Sequence, residues 1–265
     1  MGSDISEIDR IANLMADAAG AAILPHFRKA GLQQTSKLSG GYDPVTEADR
    51  AAELAMRDIL ARERPDDAIL GEEFGNRTGS TGMTWVLDPI DGTRGFVSGT
   101  PTWGVLIAVS DSAGPFYGMV DQPYIGERFT GAAGRAWMKG PHGDGDLRTS
   151  DCARLADATL FTTFPEVGST EEAAAFRAVS SQVRLTRYGT DCYAYALLAA
   201  GQIELVIEAG LQPYDIQAPI ALIEAAGGMV TDWQGKAAHG GGRVLAAANP
   251  AIHTLALEIL RQAPE

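Results

Sequence analysis

The strongest constraint on the fold is a change in hydrophobic periodicity near residue 68. Before that point, apolar residues recur every three or four positions over 5–28 and 47–64, which predicts two amphipathic helices. After it, the apolar runs are short and are separated by Gly, Pro and Asp, which is typical of strands. These predicted strands lie at 68–70, 85–87, 105–109, 116–120 and 128–130.

Beyond residue 170 the two patterns alternate. Helices are predicted at 171–180, 191–200, 216–226 and 252–261, and strands at 183–188, 203–208, 229–231 and 244–248. The predicted order is therefore helices, then strands, then an alternation of the two. This order indicates a mixed α/β protein with two sheet-containing halves. The glycine-rich loop 140–146 separates residues 1–140 from 141–265, although a surface hairpin would have the same composition. We expect the two halves to form one catalytic unit.

Composition excludes several classes of protein. With 34 acidic and 21 basic residues among 265, the net charge of −13 disfavours broad binding of nucleic acid or of an anionic membrane. The longest uncharged stretch, 95–110, contains Gly, Ser, Thr and Pro and is too short to span a bilayer. An acidic N-terminal segment and only two cysteines, far apart, predict a cytoplasmic protein.

The most informative motif is WVLDPIDGTRGF at residues 85–96. Its proline fixes the backbone and its glycine permits a tight turn, so the carboxylates of Asp88 and Asp91 and the carbonyl of Ile90 can converge on one point. Carboxylate and carbonyl oxygens are the ligands that Mg²⁺ prefers. The motif therefore predicts a magnesium site at the end of a strand.

Other features of the sequence extend this site. Glu72 and Glu73 follow the predicted strand 68–70, and Asp215 precedes a predicted helix. A helix beginning at Gly92-Thr93 would present free N–H groups that can bind a phosphate oxygen. Taken singly, such acidic residues are more often turn or solvated side chains. Their combination is what predicts a metal-dependent site for a phosphate ester.

The sequence resembles the inositol monophosphatase family of metal-dependent phosphatases over most of its length. The resemblance is carried by DPVTEAD (43–49), GEE (71–73), LDPIDGT (87–93), YGTD (188–191), YD (214–215) and EAAGGMVTDWQG (224–235). It implies a layered αβαβα sandwich, dependence on two or three Mg²⁺ ions, a small phosphorylated metabolite as substrate, and a homodimer. We expect the apolar stretch 95–109 to help bury the dimer interface.

The resemblance also implies roles for individual residues. Five positions would bind two Mg²⁺ ions, with Asp88 bridging them: Glu72, Asp88, the carbonyl of Ile90, Asp91 and Asp215. Glu72 and Thr93 would orient the attacking water, and Asp49 would support Thr93. Asp43 would help to hold a third, weaker metal. The substrate would contact Ile90, Asp91, Gly92, Thr93 and Asp215 in addition to the pocket residues discussed next.

Three residues carry the expected substrate preference. Segments 91–109 and 186–201 are similar to the histidinol-phosphatases of this family, which act in histidine biosynthesis. Asp191 stands where inositol phosphatases usually have a small apolar residue, and beside Glu208 it would pair with a cationic group of histidinol phosphate. Alternatively, Asp191 caps the helix that it precedes. Arg187 would hold the phosphate, reaching across a subunit boundary, or is a charge at a sheet edge.

Other functions compete with this one. Inositol-1-phosphate or a related sugar phosphate would use the same chemistry but offers Asp191 no cationic partner. A nucleotide or bisphosphate phosphatase would need extra basic residues, for which Arg94, Arg184 and Arg187 are available. A catalytically silent binding protein would have lost metal carboxylates, whereas all of those expected are present.

Overall fold

The computed structural model describes residues 2–29, 34–36 and 44–262, and within them the helices follow the predicted order. They are α1 (Gly2–Ile23), α2 (Glu47–Glu63), α3 (Thr93–Ser98), α4 (Thr170–Ser180), α5 (Asp191–Ala199), α6 (Pro213–Ala225) and α7 (Pro250–Leu260). The six long helices were predicted. Helix α6 begins three residues earlier than predicted, because Pro213 occupies the first helical position. This places Asp215 inside its first turn.

The strands form two large sheets and one short pair. In chain order they are β1 (Gln34–Ser36), β2 (Pro44–Thr46), β3 (Ala68–Gly71), β4 (Gly75–Arg77), β5 (Thr84–Asp91), β6 (Gly104–Asp111), β7 (Gly114–Gln122), β8 (Glu127–Ala132), β9 (Arg135–Lys139), β10 (Gly145–Asp146), β11 (Thr159–Thr162), β12 (Leu185–Tyr188), β13 (Leu205–Leu211), β14 (Met229–Thr231) and β15 (Gly242–Ala247). The larger sheet has the order β10-β9-β8-β7-β6-β5-β3-β4, and the smaller one β12-β11-β13-β15-β14. Strands β1 and β2 pair with each other.

Alternate residues of each sheet face different cores, and this alternation creates five layers. On the larger sheet, Trp85 and Leu87 pack with α1 and α2, whereas Val86 faces the opposite side, toward α5 and α6. On the smaller sheet, Val206 faces α5 and α6, whereas Leu205 packs with α4 and α7. The predicted αβαβα sandwich is confirmed.

Helix α6 lies in the central layer and packs closely on the larger sheet. A Cβ at Gly118 would lie 2.2 Å from the carbonyl oxygen of Ala218, and one at Gly131 would lie 2.4 Å from the Cα of Leu222. These glycines on β7 and β8 therefore permit backbone contact with α6. The contact fixes the helix whose first turn carries Asp215.

Two expectations from the sequence change here. Loop 140–144 joins two antiparallel strands, β9 and β10, so it is the surface hairpin rather than the crossing between the sheets. The chain crosses to the smaller sheet between Asp146 and Thr159. The apolar residues Val105–Val109 are completely buried within one chain. These five residues therefore cannot supply a dimer interface, whereas for residues 95–102, most of which are partly or fully exposed, the interface stays a prediction.

Among the helices described, none combines the length and the apolar character that crossing a membrane requires.

Candidate active site

A cavity of about 440 Å³ opens between the ends of the two sheets. Its walls come from the β3–β4 hairpin and the β5–α3 turn on one side, and from β11, α5, β13 and the start of α6 on the other. Among the described residues, six carboxylates line it: Glu72, Asp88, Asp91, Asp191, Glu208 and Asp215. Arg94 is the one cationic residue in this described lining. The predicted acidic residues from both halves thus meet in one place.

Three of these carboxylates form a cluster suited to a cation. One oxygen each of Asp88, Asp91 and Asp215 lies within 4.8 Å of the others. Burial raises the pKa of Asp88 and of Asp91 well above the usual range, and neighbouring acids, Glu72 and Asp215 among them, raise it further. Burial also raises the pKa of Asp215, to about 7. A divalent cation would stabilise the ionised forms of all three, so the donor set fits Mg²⁺.

An irregularity in β5 brings two members of the cluster together. The pairing of β5 with β6 shifts register between Asp88 and Asp91, so both side chains reach the same region. The N–H of Ile90 donates to Oδ1 of Asp88 at 3.0 Å and closes the turn. Oδ2 of Asp91 accepts from the N–H of Cys192 at 2.6 Å, which links the metal cluster to α5.

Thr93 and Asp49 lie at the edge of this cluster. The Thr93 hydroxyl is 3.0 Å from the carbonyl oxygen of Ile90 and 3.4 Å from Oδ1 of Asp49. Oδ2 of Asp49 accepts from the N–H and the hydroxyl of Thr46, at 2.8 and 2.6 Å, which caps α2. Burial raises the pKa of Asp49 to about 6. The structure therefore brings Asp49 to Thr93, as the family resemblance implied.

Glu72 and Glu73 separate in the structure. Both lie in the three-residue loop that joins the paired residues Gly71 and Gly75 of β3 and β4. Glu72 lines the cavity, and its N–H donates to the carbonyl of Leu87 in β5. Glu73 is not among the cavity residues and pairs instead with Arg50 of α2 at 3.6 Å.

Asp191 has an unusual backbone. Its φ of 44° lies in the left-handed region, which is unfavourable for a residue with a Cβ, and it forms the first residue of α5. The alternative that Asp191 caps this helix is wrong. Thr190 occupies the capping position, and the carboxylate that accepts a hydrogen bond from the first turn belongs to Asp91.

The side chain of Asp191 lies against a surface of glycines. A Cβ at Gly92 would lie 2.8 Å from its Cβ, and a Cβ at Gly95 would lie 3.2 Å from its Oδ2. The hydroxyl of Thr102 donates to the same oxygen at 3.4 Å. Burial, and then repulsion from Glu208, raise the pKa of Asp191 to about 6. Asp191 thus contributes an incompletely compensated negative charge to the cavity wall.

Glu208 is held more firmly than Asp191. Its Oε1 accepts from the N–H of Thr163 at 2.9 Å and from the hydroxyl of the same residue. Its Oε2 accepts from the hydroxyl of Tyr195 at 2.8 Å. Burial raises the pKa of Glu208, while these bonds lower it. Glu208 therefore has a fixed orientation beside Asp191.

Comparison with known proteins agrees with this geometry. The model of the inositol monophosphatase family matches residues 4–265. The chain belongs to the inositol monophosphatase family. It is a phosphatase, and members of this family depend on metal ions.

Three similar proteins of known name are described as a bifunctional phosphatase, a histidinol-phosphatase and a Nus factor. The chain is 43% identical over 270 residues to the bifunctional phosphatase IMPL2 of Arabidopsis thaliana, covering 96% of this chain and 76% of that protein. It is 37% identical to the histidinol-phosphatase of Mycobacterium tuberculosis, covering 79% and 82%. It is 31% identical to the Nus factor SuhB of Pasteurella multocida, covering 85% of each.

A solved structure confirms the fold of the family. An inositol monophosphatase from Zymomonas mobilis has a TM-score of 0.83 and 38% identity, covering 95% of this chain and 96% of that one.

Of the residues proposed from the family resemblance, one is not brought into the site and another cannot be placed. Arg187 is exposed on the edge strand β12, opposite Phe161 of β11, and is not among the residues that line the cavity. Within one chain it therefore does not contact the predicted substrate pocket. Asp43, the expected ligand of a third metal, lies outside the described residues.

Arg94, Phe164 and Tyr195 are among the cavity residues that the sequence did not assign to the substrate site. The guanidinium of Arg94 lies over the ring of Phe164, with 4.8 Å between its Cζ and the ring centroid, and joins the two halves. Tyr195 holds Glu208. Tyr195 lies four residues after Asp191 on α5, a spacing that places both on one helix face and would have revealed it. Nothing in the sequence pointed to Phe164.

Proposed function

We propose that this protein hydrolyses phosphate monoesters with Mg²⁺ and prefers L-histidinol phosphate, in the pathway of histidine biosynthesis. The observation that carries the preference is the position of Asp191. Its carboxylate lies in the same cavity as the metal cluster and next to Glu208, with Thr102 as the hydrogen-bond donor recorded at its Oδ2. A buried negative charge of this kind favours a substrate that carries a positive charge.

The metal-binding residues of this proposal all line the cavity. Asp88, Asp91 and Asp215 would hold Mg²⁺ together with Glu72 and the carbonyl of Ile90. We infer two ions at these residues and assign Asp43 to a third. Bound Mg²⁺ lowers the pKa of a water molecule and neutralises charge on the phosphate. By the family resemblance Asp88 would be shared by both ions, and it is the most deeply buried of the three acids, at 1% exposure.

Thr93 and Asp49 would orient the attacking water. With Asp49 and the Ile90 carbonyl as alternative acceptors for its proton, the Thr93 hydroxyl keeps an oxygen lone pair free to accept a hydrogen bond from water. Glu72 would accept the proton that this water loses. The water oxygen forms a bond to phosphorus as the ester P–O bond breaks, and the leaving oxygen takes up a proton to give the alcohol.

The substrate's leaving group would lie against the opposite wall. An ammonium group would donate to Asp191, whose side chain faces the cavity. Glu208 contributes negative charge and a fixed surface, since Thr163 and Tyr195 already donate to both of its oxygens. A neutral polyol would add no positive charge at Asp191, whose burial and repulsion from Glu208 are offset only in part by Thr102 and Arg94.

The same proposal extends to assembly and location. We propose that the two sheet-containing halves act as one catalytic unit, since both supply cavity residues. We propose a homodimer in which the exposed edge strand β12 directs Arg187 toward a second copy. We propose a cytoplasmic location, because Cys152 and Cys192 are the only cysteines of the sequence and lie far apart in it.

The test is phosphate release from L-histidinol phosphate and from inositol-1-phosphate, each with Mg²⁺ and with EDTA. The proposal predicts Mg²⁺-dependent hydrolysis of both and a higher kcat/KM for histidinol phosphate. A preference for inositol-1-phosphate would overturn the substrate assignment. Turnover that persists in EDTA would overturn the metal assignment.

A further inference from the structure

A buried carboxylate in α2, outside the metal cluster, supports the loop that carries Glu72. Glu53 has no solvent exposure. Its Oε2 accepts from the N–H of Glu73 at 2.7 Å, and its Oε1 accepts from the N–H of Phe74 at 3.2 Å. Nε of Arg57 donates to Oε1 at 2.7 Å. The carboxylate is thus bonded to backbone on one side and to a cation on the other.

The loop above Glu53 has little freedom to move. Its first N–H, that of Glu72, donates to the carbonyl of Leu87 in β5 at 3.2 Å. Its next two N–H groups donate to Glu53. At its end, Arg57 donates to the carbonyl of Gly75. Consecutive backbone groups from Glu72 to Gly75 are therefore held by β5 and α2 together.

The fit between this loop and α2 leaves no room for a side chain on the strand before it. A Cβ at Gly71 would lie 2.0 Å from Oε1 of Glu53. The carboxylate therefore occupies the space directly beneath the start of the loop. An apolar residue at position 53 would leave two partly buried N–H groups without this acceptor, which costs stability.

We propose that Glu53 is a positioning residue that fixes the Glu72 loop at the distance from Asp88 that divalent cation binding requires. The inference rests on the proposed function, because it assigns Glu72 to the metal site. Asp49 and Glu53 lie four residues apart on one face of α2, so this face supports both Thr93 and Glu72. Partners that orient a ligand in this way commonly change metal affinity 10- to 100-fold when they are lost.

The test is titration of the protein with Mg²⁺ alone, followed by calorimetry, for wild type, Glu53→Gln and Glu63→Gln. Gln places an N–H₂ group against one of the N–H donors, so we expect the dissociation constant to rise by roughly 10- to 100-fold. Glu63 lies on the same helix in a partly exposed pair with Arg10, so Glu63→Gln is the matched control and should bind as wild type does. Unchanged Mg²⁺ affinity in folded Glu53→Gln would overturn the inference.

A double variant separates positioning from a general loss of structure. In the Glu72→Gln background, Glu53→Gln should weaken Mg²⁺ binding little further, because Glu53 acts through Glu72. Additive losses would overturn the positioning role. Hydrogen exchange of the amides of Glu73 and Phe74 should accelerate in Glu53→Gln, whereas exchange in β5 should not.

A further variant and the wild-type titration distinguish failure of this inference from misfolding and from failure of the proposed function. If Glu53→Gln does not fold, Glu53→Asp keeps the charge on a shorter side chain and is expected to give a smaller loss of affinity; wild-type affinity in that variant would contradict the proposal. If the wild-type protein binds no Mg²⁺, the proposed function falls, and this inference falls with it. If wild type binds Mg²⁺ and Glu53→Gln binds it as tightly, this inference fails while the proposed function stands.

Discussion

The two walls of the cavity hold their carboxylates in different ways. On the wall formed by β5 and α2, Asp88 and Asp49 each accept a hydrogen bond from a backbone N–H group two or three residues away. On the opposite wall, Asp191 at the start of α5 has a left-handed backbone, and the Thr102 hydroxyl donates to it from 3.4 Å. The first arrangement suits a permanent cation site. The second suits a charge that is completed only when a substrate binds.

This difference predicts which substitutions affect all substrates and which affect one. We call the wall with Asp88 and Asp49 the metal wall and the wall with Asp191 the substrate wall. Residues on the metal wall should act on the chemical step common to every phosphate ester. Asp191, on the substrate wall, should act on the choice of leaving group. The following predictions test that division.

The largest effect is expected for Asp88→Asn. Loss of this acid should lower kcat by roughly 10²- to 10³-fold, the scale seen when a group that stabilises charge on the reacting atoms is removed. The loss should be equal for L-histidinol phosphate and inositol-1-phosphate. Because the substitution also removes repulsion among buried acids, the metal-free variant should melt no lower than wild type. A loss confined to one substrate would contradict the division.

Asp49→Asn should have the next largest effect. The amide cannot accept from the Thr46 N–H, the Thr46 hydroxyl and Thr93 together, so the support of Thr93 weakens. We expect kcat to fall by roughly 10- to 100-fold for both substrates, with KM nearly unchanged. A change in KM for one substrate alone would place Asp49 in substrate recognition instead.

The stability of the protein should depend on pH and Mg²⁺ together. The pKa values of Asp49, Asp191 and Asp215, about 6, 6 and 7, exceed the ordinary value near 4. Between about pH 4 and 7 the metal-free folded protein therefore binds more protons than the unfolded chain does. The contribution of these three groups to the free energy of unfolding therefore falls as pH rises through this window.

Mg²⁺ should reverse this trend, because it replaces protons at Asp215 and its neighbours. At about ten times its dissociation constant it should stabilise the protein by about 1.4 kcal/mol above pH 7 and by much less at pH 5. Thermal melts at both pH values, with Mg²⁺ and with EDTA, measure this difference. Equal stabilisation at the two pH values would show that Mg²⁺ does not compete with these protons.

The smallest effect concerns the backbone of Asp191. Asp191→Gly should be more stable than Asp191→Ala by about 1 kcal/mol, since glycine adopts a φ of 44° without strain. Denaturant unfolding of the two variants provides the measurement. Equal stability of the glycine and alanine variants would indicate that the residue relaxes out of the left-handed region once its carboxylate is removed.

The sequence predicted the metal wall better than the substrate wall, and the reason is the separation of the interacting residues. Asp88, Ile90 and Asp91 lie within four positions, so a local turn brings them together. The neighbours of Asp191 come from residues about 90 to 100 positions away, among them Gly92, Gly95 and Thr102. Local patterns contain no information on such contacts, which is why a helix cap was a reasonable alternative for Asp191.

The fold shows the same limit. Long amphipathic helices were predicted with their correct order, because a repeat over several turns identifies them. Strand β11 was missed because it has only four residues, of which two are threonines, although it lies between β12 and β13 in the smaller sheet. Its burial comes from pairing with strands that are distant in sequence.

The most direct test of the account is the ratio of kcat/KM for L-histidinol phosphate to that for inositol-1-phosphate, measured in wild type and in Asp191→Ala. We predict a ratio well above one in wild type that falls by roughly 10- to 100-fold in the variant, the equivalent of one charged hydrogen bond. The value for inositol-1-phosphate itself should change little. An unchanged ratio would show that Asp191 does not select the substrate and would contradict the division between the two walls.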